Sequence, residues 1–199
     1  MKGKGNVIFC GVGGQGILLA SELTSLALLA AGFDVKKSEV HGMAQRGGSV
    51  VAHLRYGRKV FSPLIENGAA DVVVSFELVE SLRYLSFMNR KTKLIVNSQR
   101  IFPPSVATGL ERYPEGVLER FHELGVPLFP VDALEVATSL GEVRALNMVL
   151  VGALSNFVPV DEDDFFGVIS GKVPEKLLEV NWQAFSEGRR VVEKALMKA

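Results

Sequence analysis

The chain has 199 residues, 48% of them hydrophobic, and its 22 Lys and Arg residues balance its 22 Asp and Glu residues. This length fits one domain with a sizeable core, and a net charge near zero argues against a nucleic-acid groove or an acidic membrane surface as the partner. The one cysteine, Cys10, excludes an intramolecular disulfide and a cysteine-ligated iron–sulfur cluster held by this chain alone.

The N-terminal stretch imitates a signal peptide, because Lys2 and Lys4 precede apolar residues that extend to Ala31. Glycines, Gln15 and Glu22 interrupt this stretch, and no window of the chain reaches the roughly 20 apolar residues of a membrane span. We therefore expect a cytoplasmic protein whose residues 1–199 form one domain and contact neither membrane nor nucleic acid.

Apolar runs that favour strands alternate with helical patterns along the chain. The predicted strands span residues 6–10, 33–40, 71–76, 93–97 and 126–131, and the predicted helices span residues 16–31, 77–88, 114–124, 142–157 and 174–199. Residues 49–56 and 59–64 form a plausible β-hairpin across Gly57 and Arg58. The alternation predicts an α/β sheet with helices on both faces, and the hairpin predicts a mixed rather than purely parallel sheet.

Residues 10–16 read CGVGGQG, in which Gly11, Gly13 and Gly16 fit the pattern G-x-G-x-x-G between a predicted strand and a predicted helix. Glycines at this spacing allow a tight turn and the close approach of a phosphate, and the helix N-terminus offers unpaired N–H groups. The pattern also fits a tight turn that binds no ligand. A dinucleotide site would need an acid at the end of the second strand, where Glu39 is a candidate.

The second distinctive loop is HGMAQRGG at residues 41–48. Two glycines after an arginine suit a backbone bend that aims the guanidinium, and Arg46 offers a planar fork of donors for a phosphate or a carboxylate. Because both loops follow the carboxyl ends of predicted strands, we expect them to meet at one edge of the sheet, where α/β proteins bind ligands. Arg46 could instead pair with a local carboxylate.

These two loops, in this order and spacing, carry a family resemblance. GVGGQG followed by SEVHGMAQRGGSVVAHLRYG resembles the gamma-type subunits of 2-oxoacid:ferredoxin oxidoreductases, and the HGMAQRGG form is most similar to the beta subunits of the indolepyruvate enzymes. Two later stretches extend the resemblance over nearly the whole chain: the helix with Asn147, Met148 and Gly152, and the closing helix with Asn181, Ala184, Phe185 and Gly188.

The resemblance implies a three-layer, Rossmann-like α/β/α fold with a mixed, mostly parallel sheet, as in domain III of pyruvate:ferredoxin oxidoreductase. It also implies an oxidative decarboxylation of 2-oxoacids, aryl pyruvates such as indolepyruvate among them, that gives acyl-coenzyme A and passes electrons to ferredoxin. The resemblance to the indolepyruvate enzymes further implies that thiamine diphosphate and [4Fe-4S] clusters belong to a large alpha subunit. We therefore expect the isolated chain to be inactive without that partner.

What remains for this chain is to cap the active site of the partner and to help bind coenzyme A as co-substrate. No catalytic residue and no metal ligand is predicted, since His41, His53 and His122 have no metal-ligand spacing. The candidate ligand-binding residues belong to the two loops: Gly11, Gly13, Gly14, Gln15, Gly16, Gln45, Arg46, Gly47 and Gly48. Two alternatives stay open, a free-standing NAD(P)-binding oxidoreductase that depends on Glu39 and a dimeric scaffold with vestigial loops.

Overall fold

The computed structural model describes residues 3–41 and 47–198, which form a six-stranded sheet with helices packed against both faces. The strands are β1 (Gly5–Val12), β2 (Asp34–His41), β3 (Ser49–Gly57), β4 (Val72–Ser75), β5 (Lys93–Asn97) and β6 (Leu128–Val131). The helices are α1 (Ile17–Ala30), α2 (Glu80–Arg83), α3 (Pro104–Ala107), α4 (Val117–Glu123), α5 (Ala133–Ser139), α6 (Leu146–Ser155), α7 (Glu162–Lys172) and α8 (Glu175–Leu196). Short 3-10 turns span Leu85–Phe87 and Val143–Ala145.

The sheet has the strand order β2-β3-β1-β4-β5-β6. β3 is antiparallel to both of its neighbours, whereas β1, β4, β5 and β6 are parallel. Five strands therefore point the same way and end at the carboxyl edge, which is defined by Val12, His41, Ser75, Asn97 and Val131. They begin at the opposite side of the sheet, the amino edge. The predicted α/β class with a mixed, mostly parallel sheet is confirmed.

The predicted hairpin partner of β3 is wrong, because β3 pairs with β2 and residues 59–64 form no strand. These residues leave the sheet: the Val60 N–H donates to the Asp34 carboxylate at 2.8 Å, and Arg55 donates to two carbonyl groups of the segment. Pro63 has no N–H to offer to a ladder, so a strand there is disfavoured. The antiparallel hairpin instead joins β2 to β3 through the second glycine loop.

Two further differences from the sequence-based expectation concern helices. Residues 77–88 form only the four-residue α2 and a 3-10 turn, because the Glu77 carboxylate accepts the Glu80 N–H at 2.9 Å and the helix starts late. The sequence pattern also missed α5, which begins at Asp132, whose side chain accepts the Glu135 N–H at 3.2 Å. An aspartate at this position is a typical helix N-cap.

The core lies on both faces of the sheet, because successive side chains of a strand point to opposite sides. On one face, Phe9 and Val74 pack under α1, α6 and α8, while on the other Ile8 and Leu94 pack with the buried residues of α4. All ten residues of α6 are buried, which makes it the central helix of the first face. Among the described helices, none combines the length and the apolar character needed to cross a bilayer.

α6 and α8 approach each other more closely than side chains would permit. A Cβ atom at Gly152 would overlap the carbonyl oxygen of Phe185, and a Cβ atom at Gly188 would overlap the carbonyl oxygen of Val149. The two glycines are therefore reciprocal, since each leaves room for the backbone of the other helix.

We predict that Gly152→Ala destabilises the fold by about 1–3 kcal/mol or more, because the new methyl group must separate two packed backbones. Gly167 in α7 is the matched control, since nothing lies within 4 Å of a Cβ built there. Gly167→Ala should raise the unfolding free energy slightly, as expected for replacing glycine inside a helix. Denaturant unfolding of the three proteins measures both effects, and equal stability of wild type and Gly152→Ala would contradict the close-contact argument.

His53 fixes the irregular segment after β3 to the sheet, because its Nδ1 accepts the Ile65 N–H at 3.2 Å. The ring is buried against Phe87, and this burial lowers the pKa of His53 from its ordinary value. Below the unfolded pKa of about 6.5, the unfolded chain therefore binds more protons at this position than the native chain does.

We predict that the unfolding free energy falls as the pH drops from about 8 to about 5.5 and that His53→Gln flattens this slope, because glutamine has no proton to take up in that range. His122→Gln is the control on an exposed position of α4 and should leave the slope nearly unchanged. The measurement is urea unfolding at several pH values. An unaltered slope in His53→Gln would show that this ring does not govern the pH response.

Candidate ligand site at the carboxyl edge

The two glycine loops meet at the carboxyl edge, as the sequence predicts. The Gly13 N–H donates to the Gly48 carbonyl at 2.8 Å, and the Gly47 N–H donates to the Gly13 carbonyl at 3.4 Å. β1 and β2 point the same way, so the loops that follow them lie at one edge even though β3 separates the two strands. Gln45 and Arg46, which are also predicted site residues, lie outside the described residues.

The first turn of α1 leaves backbone donors without an acceptor at this edge. Its N-cap is Gly16, which has φ 81° and so offers no capping side chain, and no acidic residue lies in the first turn. The N–H groups of Gly16, Ile17, Leu18 and Leu19 have no acceptor within the described ranges. A helix N-terminus of this kind carries positive partial charge and favours an anion such as a phosphate.

Glycine occurs at the positions of the first loop for different physical reasons. A Cβ atom at Gly11 would lie 2.7 Å from Cβ of Phe76, and one at Gly16 would lie 2.8 Å from Nδ2 of Asn147, so these two positions require glycine for packing. Gly14 differs, because it has φ 105°, is exposed, and has nothing within 4 Å of a Cβ built on it. Gly14 is therefore the position of the loop that faces open space.

Gln15 joins three parts of the edge through its side-chain amide. Its Oε1 accepts the Val12 N–H at 2.8 Å, while its Nε2 donates to the Phe76 carbonyl at 2.8 Å and to Oε1 of Gln99 at 3.1 Å. Both hydrogens of the amide group thus have partners inside the chain. The structure places Gln15 in the wall of the site as a positioning residue, and donation by its amide to a ligand stays a prediction.

A depression of about 390 Å³ opens beside α1. It is lined by Gly14, Gln15, Gly16, Gln99, Leu134, Val143, Arg144 and Leu146. The Arg144 side chain is 82% exposed and binds the Glu142 carboxylate through Nε at 3.0 Å and Nη2 at 3.1 Å, which lowers the pKa of Glu142. Arg144 also borders a neighbouring depression of about 190 Å³.

Arg144 and Gln99 also line the depression, although no sequence motif predicts them as site residues. Arg144 lies in the 3-10 turn before α6 and Gln99 follows β5, so only the folded topology brings them beside the first glycine loop. Neither residue belongs to a local motif, and the one available signal for Gln99 was its position just past the carboxyl end of a predicted strand. Because Nε and Nη2 of Arg144 already bind the Glu142 carboxylate, its remaining N–H groups are the donors that it can offer to an anion in the depression.

Two buried carboxylates stabilise the other side of the edge. Glu77 accepts the Tyr113 hydroxyl and the Ile101 N–H, and Glu80 accepts the Ser49 hydroxyl and an Arg83 N–H. Burial of the Tyr113 hydroxyl raises its pKa above the ordinary value, and the neighbouring Glu77 carboxylate raises that pKa further. These hydrogen bonds order the chain around the site.

Cys10 has no access to a ligand, because its side chain is fully buried inside the sheet and burial raises the pKa of the thiol to about 12. A thiol in that state is a small apolar core residue rather than a nucleophile. Within residues 3–41 and 47–198, no three His, Cys, Asp or Glu side chains come together as a possible metal site.

The dinucleotide interpretation finds no geometric support at Glu39. Glu39 lies on β2, where its carboxylate pairs with Lys37 at 2.6 Å. In a dinucleotide-binding fold the acidic strand is the direct neighbour of the strand that carries the glycine loop. Here β3 lies between β2 and β1, so Glu39 is two strands away from the first glycine loop.

Comparison with known proteins agrees with this geometry. The family model "Pyruvate ferredoxin/flavodoxin oxidoreductase" matches residues 6–191. A Thermococcus kodakarensis protein named indolepyruvate oxidoreductase subunit IorB is 38% identical over 198 residues, which cover 96% of this chain and 97% of that protein. The protein of the same name from Archaeoglobus fulgidus is 39% identical over 187 residues, 92% of each chain.

Solved structures share the fold. The gamma subunit of a keto/oxoacid ferredoxin oxidoreductase from Geobacter sulfurreducens superposes with a TM-score of 0.71 at 18% identity, over 95% of this chain and 98% of that one. A 2-oxoglutarate:ferredoxin oxidoreductase from Magnetococcus marinus, solved with 2-oxoglutarate, coenzyme A and succinyl-CoA bound, superposes with a TM-score of 0.77 at 24% identity. All of this chain matches 32% of that longer chain. The resemblance carried by the two glycine loops is thus confirmed, and the chain belongs to the pyruvate ferredoxin/flavodoxin oxidoreductase family.

Proposed function

We propose that this chain is the subunit of an indolepyruvate-type 2-oxoacid:ferredoxin oxidoreductase that caps the active site of a large alpha subunit and helps to bind coenzyme A. The relatives that are 38% and 39% identical over nearly their whole length are named as indolepyruvate oxidoreductase subunits, which supports the reaction class. The free helix N-terminus beside a 390 Å³ depression is the observation that supports the binding role.

The proposal divides the chemistry between two chains. Oxidative decarboxylation of a 2-oxoacid needs an electron sink and a route for electrons, which thiamine diphosphate and iron–sulfur clusters supply. Four cysteine ligands are the usual requirement of a [4Fe-4S] cluster, and this chain has the single, buried Cys10. The partner alpha subunit accordingly holds these groups, and ferredoxin receives electrons through the assembled complex.

The contribution of this chain to coenzyme A binding is electrostatic. The unpaired N–H groups at the start of α1 follow Gly16, which lines the depression, and they donate to a phosphoryl group; Arg144 lines the same depression. The second loop brings Gly47 and Gly48 to the same edge, because both bond to Gly13. Gln45 and Arg46, which precede them in the sequence, are the side chains of this loop that we propose as further ligand contacts. Holding the thiol carrier near the acyl group converts a bimolecular encounter into a positioned one, which can lower the barrier by several kcal/mol.

Exposed apolar side chains in the first turn of α1 and in the lining of the depression suit the capping role. Leu18 and Leu19 of α1 are 36% and 38% exposed, and Val143 at the rim is 52% exposed. Exposed leucine and valine side chains close together on a surface favour contact with another protein. Such a contact excludes water from the reacting centre, which protects a reactive carbanion from protonation.

We predict that the purified chain alone shows no 2-oxoacid-dependent reduction of ferredoxin or of a dye, whereas co-expression with the large subunit gives an active complex. The physical reason is that electron transfer requires the cofactors of the partner. Size-exclusion chromatography and dye reduction with indolepyruvate and coenzyme A make the measurement. Sustained turnover by the solitary chain would overturn the division of labour.

We predict that Gly14→Asp raises the KM for coenzyme A in the assembled complex by about ten-fold relative to Gly14→Asn, because a carboxylate at this open position repels the phosphoryl group. Both side chains have nearly the same shape and meet the same positive φ, so their comparison isolates the charge. The KM for the 2-oxoacid should stay equal in the two variants. Equal coenzyme A affinities would rule out a phosphoryl group at this loop.

Arg46→Ala tests the second loop in the same assay and should weaken coenzyme A binding by a similar factor without lowering the melting temperature of the chain. The control is Arg90→Ala, which removes an exposed arginine from the turn before β5. Full activity and unaltered coenzyme A affinity in the Arg46→Ala complex would exclude the proposed role of that guanidinium.

A further inference from the structure

The amino edge of the sheet, opposite the ligand site, carries a cleft with a volume of about 940 Å³. The start of β1, the end of β3 and the segment that follows β3 line this cleft. Lys4, Arg55, Arg58 and Lys59 contribute positive charge, and Asp71 is the one acidic residue of the lining. We call this surface the basic cleft.

Three of these cations lack an ionic partner. Lys4, Arg58 and Lys59 are exposed, and none of them makes an ion pair within the described part of the chain. The nearby carboxylates are already engaged, because Asp71 accepts the Asn6 N–H at 2.8 Å and Asp34 binds Lys36 at 2.7 Å. The basic cleft thus has a surplus of positive charge in a chain whose net charge is zero.

An exposed aromatic side chain lies beside these cations. Phe61 is 88% exposed and Leu64 is 59% exposed, although both belong to a segment that is held in place by hydrogen bonds from Arg55 and to Asp34. A phenylalanine that is fixed, solvent-exposed and flanked by arginine and lysine has the composition of a protein interface. Because the backbone is already ordered, binding would cost little conformational entropy.

The complementary charge lies on the same end of the molecule. The Cγ atom of Pro159 is 3.5 Å from a Cβ built on Gly3, which places the residues that lead into α7 beside the start of β1. α7 runs from the amino edge toward the carboxyl edge, because its last residue, Lys172, reaches Glu22 of α1 and borders a depression with Leu19. The acidic start of α7 is therefore at the amino edge.

This acidic start also lacks ionic partners. Asp161, Asp163 and Asp164 form no ion pair with the described residues, whereas Glu162 binds Arg189 at 2.9 Å. Asp161, the N-cap residue, does not cap the helix through its side chain. Phe166, one turn further along α7, is 41% exposed. Each charged surface of the amino edge thus has an exposed phenylalanine next to it.

We propose that the amino edge is the docking surface for a second copy of this chain, in which the basic cleft of each copy contacts the acidic start of α7 in the other. A two-fold dimer makes this contact twice with the same two surfaces. Opposite charges on one self-complementary face give this arrangement specificity and steer the encounter. The proposal is independent of the coenzyme A site, which lies at the other edge of the sheet.

The test uses the purified chain in sedimentation velocity over a range of concentrations. We expect a dimer at about 50 mM salt that weakens as salt is raised, because screening reduces contacts between exposed charges. The double variant R58E/K59E and the double variant D163K/D164K should each be monomeric, with dissociation constants raised about ten-fold or more. An equimolar mixture of the two variants should dimerise again, because each restores the opposite charges of the other.

Controls separate this contact from a general charge effect. R90E/K91E and E115K/E119K reverse exposed charges elsewhere on the chain and should leave the dimer intact. Phe61→Ala should weaken the dimer, while Leu110→Ala, at a position that is 82% exposed, should not. Circular dichroism verifies that each variant is folded. The proposal is overturned if the wild-type chain stays monomeric at low salt, or if the two charge-reversed variants do not dimerise when mixed. It is also overturned if the cleft variants alone lose binding to the large subunit, because the surface then belongs to that partner.

Discussion

The side-chain amide of Gln15 organises the carboxyl edge of this protein. β1 ends in a loop of glycines, which cannot fix its own position because it has almost no side chains to pack. Gln15 bonds to the last N–H of β1, to the carbonyl that follows β4, and to Gln99 after β5. Left unpaired, the buried Val12 N–H would cost about 1–3 kcal/mol. Hydrogen bonds from the Gln15 side chain therefore hold the loop in place, while the first N–H groups of α1 stay available to a ligand.

The reversed strand β3 separates this fold from a dinucleotide-binding sheet with the same glycine pattern. In the dinucleotide fold, the strand next to the glycine loop brings an acid to the ribose of the ligand. Here the neighbour is antiparallel β3, which begins at the carboxyl edge directly after the second glycine loop and returns the chain to the amino edge. The two folds thus place the same glycine pattern beside different neighbouring strands. The difference explains why G-x-G-x-x-G alone carries little functional information, whereas the pair of loops carries much more.

Local sequence signals predicted the parts of the structure that local physics determines. The sequence predicted β4 from its β-branched residues and α1 from the glycines that flank it. It also predicted that the two glycine loops lie at the same edge of the sheet. The partner of β3 was not, because the choice between β2 and residues 59–64 depends on hydrogen bonds from Arg55 and to Asp34. Arg144 could not be assigned to the site either, since it reaches the glycine loop only after α6 packs against α1.

The two glycine loops are joined by backbone groups, Gly13 to Gly48 and Gly47 to Gly13, rather than by side chains. Backbone hydrogen bonds do not depend on which side chains the intervening residues carry. The link between the two loops therefore does not depend on the side chains between β2 and Gly47. A substitution of such a side chain changes what the loop offers to a ligand without removing the hydrogen bonds that join the loops.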